Sequence, residues 1–135
     1  MDVVVDTNVV VSGLLFKGLP GRIVSLWKQR DIIPYVTREI VDEYIRVLTY
    51  PKFQLSGLEI EYLVYQEILP YVEIVKPLTR VHVVHDDPAD DMFLHCALAG
   101  QVKTIISGDK HLLDVQAYKS ISILDPADFL QKFSG

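Results

Sequence analysis

At 135 residues the chain is long enough for one well-buried core and too short for two ordinary domains. Half of it is hydrophobic and 23% is charged, which excludes a disordered chain, and its single cysteine, Cys96, excludes an internal disulfide. A net charge of −5, with a pI near 5.2, argues at face value against a nucleic-acid binder.

The chain opens on Val3-Val4-Val5-Asp6, a β-branched run of the kind found in a buried parallel strand. It begins Met1-Asp2, without the basic start and small-residue cleavage site of a signal peptide, and no apolar stretch reaches membrane-spanning length. The reading is therefore cytoplasmic, with no membrane. Val9 to Phe16 reads as a short helix, and the break around Pro20 leads into a second, Arg22 to Arg30. Ile32 to Val36 reads as a strand, and Thr37 as the N-cap of a helix that ends before Pro51. Leu58 to Leu69 is amphipathic, and Val72 to Val84 holds short extended pieces broken by Pro77. The stretch DDPADDMFLHCALAG reads as a capped helix ending at Gly100. Thr104 to Ser107 and Ile121 to Leu124 are strands, and Pro126 to Phe133 is a closing helix. Strands alternating with helices predict a three-layer α/β/α sandwich around a parallel sheet of four to five strands, in a single domain spanning residues 1–135.

Acids recur where such a sheet places its ligands, at the C-terminal ends of strands. Asp6 follows the first strand and Asp109 lies just past Thr104 to Ser107. Each also suits a plain cap or turn. In DDPADD, acids in a first helical turn serve the cap and the helix dipole. Asp90 shares a helix face with Phe93, Leu94 and Ala97 and should lean toward the sheet, whereas Asp91 lies about a hundred degrees further around and should be the outer one. In TREIVDEYIRVL, Glu43 is the acid nearest the stripe of Ile40, Tyr44 and Leu48, although a lone Glu on a helix rim is ordinarily solvated. Carboxylates converging from separate elements repel one another unless a cation joins them, and Mg²⁺ or Mn²⁺ takes oxygen ligands of this kind. Asn8 and Ser107 sit close enough in sequence to orient a bound water or a phosphate oxygen.

VVVDTNVVVSGL at the start, DDPADDMFLHCALAG in the last third and TIISGDKHLL after it together resemble the PIN-domain family, in particular its branch of VapC-like toxins of type II toxin–antitoxin systems. The resemblance covers essentially the whole chain. It implies a metal-dependent endoribonuclease with a parallel sheet between helices, an RNA substrate, a Mg²⁺ or Mn²⁺ cofactor, an antitoxin protein as partner, and a homodimer. Carried over by position, it implies Asp6, Glu43, Asp90 and Asp109 as the acidic site, with Asn8 and Ser107 as polar companions. Asp91 falls where a related branch often has Asn, which makes it an optional fifth ligand.

The negative charge then changes meaning, because those five acids account for all of it and the remainder of the chain is neutral. Lys17, Arg22, Lys28 and Arg30 give the first third a basic character that suits either a phosphate backbone or an ordinary solvated helix face. His82 and His85 point to opposite sides of an extended segment, His95 and His111 are each alone, and Cys96 has no histidine at a catalytic spacing. Two other functions compete with the ribonuclease. A receiver-like regulatory module would want an isolated Lys ending its last strand, and Ile121 to Leu124 ends without one. A structure-specific DNA nuclease would want extra helical regions for which this chain has little room.

Overall fold

The valine run forms the core of β1 (Asp2–Val5), and Val3, Val4 and Val5 have no exposed surface. In this computed structural model, which describes residues 1–77 and 90–134, the chain continues through α1 (Thr7–Leu15), α2 (Leu19–Lys28), β2 (Ile33–Val36) and α3 (Arg38–Leu48). A single 3₁₀ turn (Pro51–Phe53) precedes α4 (Gly57–Tyr62), which runs on as a π-helical segment (Leu63–Ile68) to β3 (Glu73–Ile74). After residue 90 come α5 (Asp91–Gly100), β4 (Thr104–Ile106), α6 (Lys110–Val115), β5 (Ala117–Tyr118), β6 (Ile121–Leu124) and α7 (Pro126–Ser134).

Among the described residues the strands form one sheet in the order β3-β2-β1-β4-β6-β5, parallel throughout except for the β5–β6 pair. With helices on both faces this is the expected three-layer α/β/α sandwich. The sheet is one strand wider than expected because Ala117-Tyr118, too short to show a periodicity, folds back on β6. α6 also goes beyond the sequence reading, since its six residues give less than two turns of pattern. The helix expected over Leu58 to Leu69 is present but changes its winding midway, with Leu69 N–H donating to the Val64 carbonyl at 2.9 Å. Of the extended pieces between Val72 and Val84, Glu73–Ile74 is a strand, and residues 78–84 lie outside the described residues.

Local chemistry fixes the helix starts. Thr37 accepts from Ile40 N–H at 3.2 Å as expected, and Ser56 and Glu59 form a capping box at α4. Gln101 ends α5 in the left-handed region. The largest fully buried side chains are Trp27, Tyr44, Phe93 and Phe129, one from each of four helices. Tyr44 also reaches into the sheet, where its hydroxyl donates to the Val5 carbonyl at 2.5 Å and ties α3 to the end of β1. No single helix among the described residues is long and apolar enough to cross a membrane.

α1 and α2 approach at Gly13, where backbone meets backbone. A Cβ there would sit 2.5 Å from the Pro20 carbonyl oxygen and 2.5 Å from Val24 Cγ2. In an open helix, Gly→Ala would stabilise by about 0.8–1 kcal/mol. Here the collision wins, and Gly13→Ala should destabilise by about 1–3 kcal/mol, read as a lower urea midpoint at unchanged m. A midpoint at or above the wild type would mean that α1 and α2 separate without cost.

Candidate active site

The chain leaves β1 toward β2 and β3 on one side, and returns to pair β4 on the other, so the order of strands reverses between β1 and β4. A crevice opens at such a point, beyond the carboxyl ends of the two strands. Asp6 N–H donates to the Ile106 carbonyl at 2.9 Å, which extends the ladder and sets Asp6 beside Ser107. Ser107 N–H in turn donates to the Leu124 carbonyl at 2.9 Å.

The Asp6 side chain is 3% exposed and fully engaged. Its Oδ1 accepts from Val9 N–H at 2.9 Å and so caps α1. Its Oδ2 accepts the Ser107 hydroxyl and the Gly108 N–H, the latter at 3.0 Å. Burial raises the Asp6 pKa above its ordinary value of 3.8, against the pull of these three hydrogen bonds, and the nearby Asp109 adds to the rise. Asp6 is therefore both the cap that the plain reading expected and a carboxylate held where its charge is costly.

Ser107, with no exposed surface, bridges two acids: it donates to Asp6 and accepts from Asp109 N–H at 2.9 Å. It does not line the cavity described below, and its hydroxyl ties Asp6 to the backbone of Asp109. Asp109 is half-buried and caps α6, its Oδ1 accepting from His111 N–H at 2.8 Å and Leu112 N–H at 3.3 Å. Asn8 is exposed and faces the cavity.

Asp6, Glu43, Asp90 and Asp109 all line one cavity of about 370 Å³. The helix carrying Asp87-Pro88 in its expected start begins at Asp91, with Asp90 at the N-cap, and residues 86–89 lie outside the described residues. Asp90 lines the cavity. Asp91 does not follow expectation: it is 2% exposed, not the outer residue, and is absent from the cavity wall. The reason is that α5 packs against β1, β2, β4 and α3, burying every residue from Asp91 to Ala97 and leaving that turn no outer face.

Glu43 reaches the cavity but is gripped by Arg46, one turn along α3, whose Nη2 donates to both carboxylate oxygens at 2.6 and 2.7 Å. As the side chains stand, no three His, Cys, Asp or Glu among the described residues are close enough to hold a metal ion together. Glu43 is held by Arg46, Asp109 by α6, and Asp6 by Val9, Ser107 and Gly108. In kind, however, four carboxylates around a cavity roomy enough for retained waters are the donor set of a hard divalent cation.

Other features passed over in the sequence line the same wall. Arg46, Tyr50, Lys52 and Phe53 face the acids from the end of α3 and the 3₁₀ turn. Their only sequence signal is position, Arg46 and Tyr50 continuing the face of Glu43 at spacings of three and four. The cations noted earlier lie elsewhere, Lys28 paired with Glu67 at 2.6 Å and Arg30 over the Tyr71 ring at 5.1 Å. Cys96 is buried and its thiol is pushed up to about 12, which suits a packed hydrophobe and not a nucleophile. His82 and His85 lie outside the described residues.

The raised pKa of Asp6 has a definite sign in stability. The folded chain holds the Asp6 proton more tightly than the unfolded chain, so this contribution is complete below 3.8 and is lost as pH rises through the higher folded value. In metal-free buffer, wild type should lose stability relative to Asp6→Asn as pH rises from about 4 to about 7, measured by urea unfolding at fixed ionic strength. A wild type that gains on the variant over that range would show that the hydrogen bonds outweigh burial.

The sequence matches the PIN domain model over residues 2–111, a span that includes all four cavity acids. No curated protein matches the chain. PIN domains are generally nucleases and generally use divalent metal ions. With the match, the sheet order and the acid-lined crevice in agreement, the chain belongs to the PIN-domain family.

Proposed function

We infer that this protein is a Mg²⁺- or Mn²⁺-dependent endoribonuclease. The observation that carries the reading is the meeting of Asp6, Glu43, Asp90 and Asp109, from β1, α3, α5 and the end of β4, on one cavity at the β1–β4 switch point. These four would hold the ion. When bound, a divalent cation supplies a water acidic enough to attack at neutral pH and offsets charge on the phosphodiester. The chain's own residues do the positioning. Ser107 fixes Asp6 and Asp109 relative to one another, and the buried end of β1 fixes Asp6 relative to the sheet. Asn8 presents a carboxamide to the cavity, suited to a water or a non-bridging phosphate oxygen. Glu43 must leave Arg46 to take its place, which exchanges one surface ion pair for a ligand bond.

RNA as substrate, a role as the toxin of a toxin–antitoxin pair, and a homodimer are parts of the same proposal, supported by the likeness of the three motifs to VapC-like proteins. Leu58, Tyr62 and Tyr65, exposed on α4 and its π-helical continuation, are apolar surface that a partner chain can cover.

Purified protein should cleave RNA with Mn²⁺ or Mg²⁺ and stop on EDTA. Asp6→Asn should reduce the rate by about 10²-fold or more while remaining folded, because the substitution keeps the shape and removes a charged ligand. Asp90→Asn should cost far more activity than Asp91→Asn, whose buried position makes its loss chiefly one of stability. Full cleavage by Asp6→Asn, or equal losses for Asp90→Asn and Asp91→Asn, would remove the site as drawn.

Metal binding should also register without RNA. Mn²⁺ at about a hundredfold over its dissociation constant should stabilise the fold by about 2.7 kcal/mol, several degrees in Tm for a domain of this size. Asp6→Asn should shrink that shift. Equal shifts in the two proteins would leave Asp6 as a cap alone.

A further inference from the structure

An all-acidic centre repels the phosphodiester it is to cut, and even a bound ion leaves the flanking phosphates unmatched. Positive charge and a stacking surface are therefore needed within the same cavity. Among the described residues on the cavity wall, the cations are Arg46 and Lys52. Arg46 is committed to Glu43 and to the Tyr50 hydroxyl, which accepts from its Nη1 at 2.6 Å. Lys52 is exposed and forms no ion pair among the described residues; its ammonium lies over the Phe53 ring, 5.1 Å from the centroid. Tyr50 is 36% exposed, with the Arg46 guanidinium 5.7 Å from its ring centre.

The backbone holds this wall in place. Tyr50 takes the extended conformation that Pro51 demands, at φ −62° and ψ 135°. Phe53 N–H then donates to the Tyr50 carbonyl at 3.1 Å, and Gln54 closes the turn in the left-handed region at φ 52°. Phe53 is half-buried against the cluster of Val11, Val47, Leu48 and Val64, so the turn is seated on the core. Its ring also meets Phe16 at 6.4 Å between centroids. A lysine without an acid, beside an exposed tyrosine and facing four carboxylates, is the arrangement expected of a nucleotide subsite rather than of a solvated loop.

We propose that the turn after α3 is a substrate subsite for single-stranded nucleic acid, in which Lys52 holds a phosphate next to the scissile bond and the Tyr50 ring carries a base. The proposal rests on the nuclease reading of the cavity and adds to it the strand that the cavity grips. A duplex keeps its bases stacked on one another and offers Tyr50 no face, so the substrate is single-stranded or a loop. Readout is tolerant of base identity, because stacking needs only an aromatic face.

The test uses a short fluorescent single-stranded RNA, its DNA counterpart and the RNA duplex, bound by the whole protein with Ca²⁺ in place of Mn²⁺. Cleavage in Mn²⁺ is followed in parallel. Lys52→Glu should weaken RNA binding at least tenfold, and Lys52→Ala should reduce the salt slope of log K by about 0.7, one phosphate contact fewer. Lys52→Arg should restore both. Tyr50→Ala should weaken binding by about tenfold or more, whereas Tyr50→Phe, which keeps the ring and loses the hydroxyl, should bind as wild type. All five variants should melt close to wild type, and the loss should appear in KM more than in kcat. If wild type cleaves RNA while Lys52→Glu and Tyr50→Ala leave binding, salt slope and KM unchanged, the subsite is overturned and the nuclease stands. Tighter binding of duplex than of single strand overturns it equally. Preference for DNA over RNA leaves the subsite in place and removes the ribonuclease assignment. A wild type that neither binds nor cuts any of the three removes both.

Discussion

The structure depends on one carboxylate placed where water is absent. Asp6 joins three elements through two oxygens: α1 through Val9, the end of β4 through Ser107, and the following loop through Gly108. Removing a carboxylate from water costs several kcal/mol, and the chain offsets much of that with hydrogen bonds from groups whose positions are set by the sheet. Because β1 and β4 are neighbours and parallel, the residues following them emerge side by side. The acid at the end of β1 and the acid after β4 thus share one serine. The remaining two acids arrive on helices anchored independently, α3 by the Tyr44 bond to Val5 and α5 by burial on every side.

What the sequence revealed divides along physical lines. β1, β2, β4 and β6 were legible because buried parallel strands leave continuous β-branched or apolar runs, and α3 because its apolar residues recur on one face. β5 and α6 are too short for any period to register. Asp6 and Asp109 stood out as candidates because a carboxylate at the end of an apolar strand calls for a reason, and both line the cavity. The orientation of Asp91 was not, since the rule that turns sequence spacing into inner and outer faces assumes a helix with one wet side. α5 has none over its first two turns. Arg46 and Lys52 escaped for a different reason: nothing in a sequence distinguishes a lysine in water from a lysine facing four carboxylates across a cavity. That difference lies in the 3₁₀ turn that begins at Pro51, after α3 has ended.

The cavity has two chemically distinct walls contributed largely by different parts of the chain. Acids come from β1, α5 and the β4 end, and the basic and aromatic groups from the last turn of α3 and the turn behind it. Glu43 belongs by charge to the first wall and by position to the second, and its ion pair with Arg46 joins them. Under the proposed function metal and substrate would be linked through a single helix, since whatever draws Glu43 toward the other acids frees the Arg46 guanidinium.

The two margins of the sheet bear on how this protein meets other chains. Among the described residues, the outermost strands β3 and β5 have two residues each, and β5 runs against the direction of its neighbours. A strand that short gives an incoming backbone almost no row of amides and carbonyls to copy, so templated sheet growth from one molecule to the next has little to start on. Cross-β aggregation is discouraged by architecture rather than by charge. Exposed apolar side chains on helices, such as Leu58 and Tyr62, can by contrast be altered one residue at a time without disturbing the strands that hold Asp6.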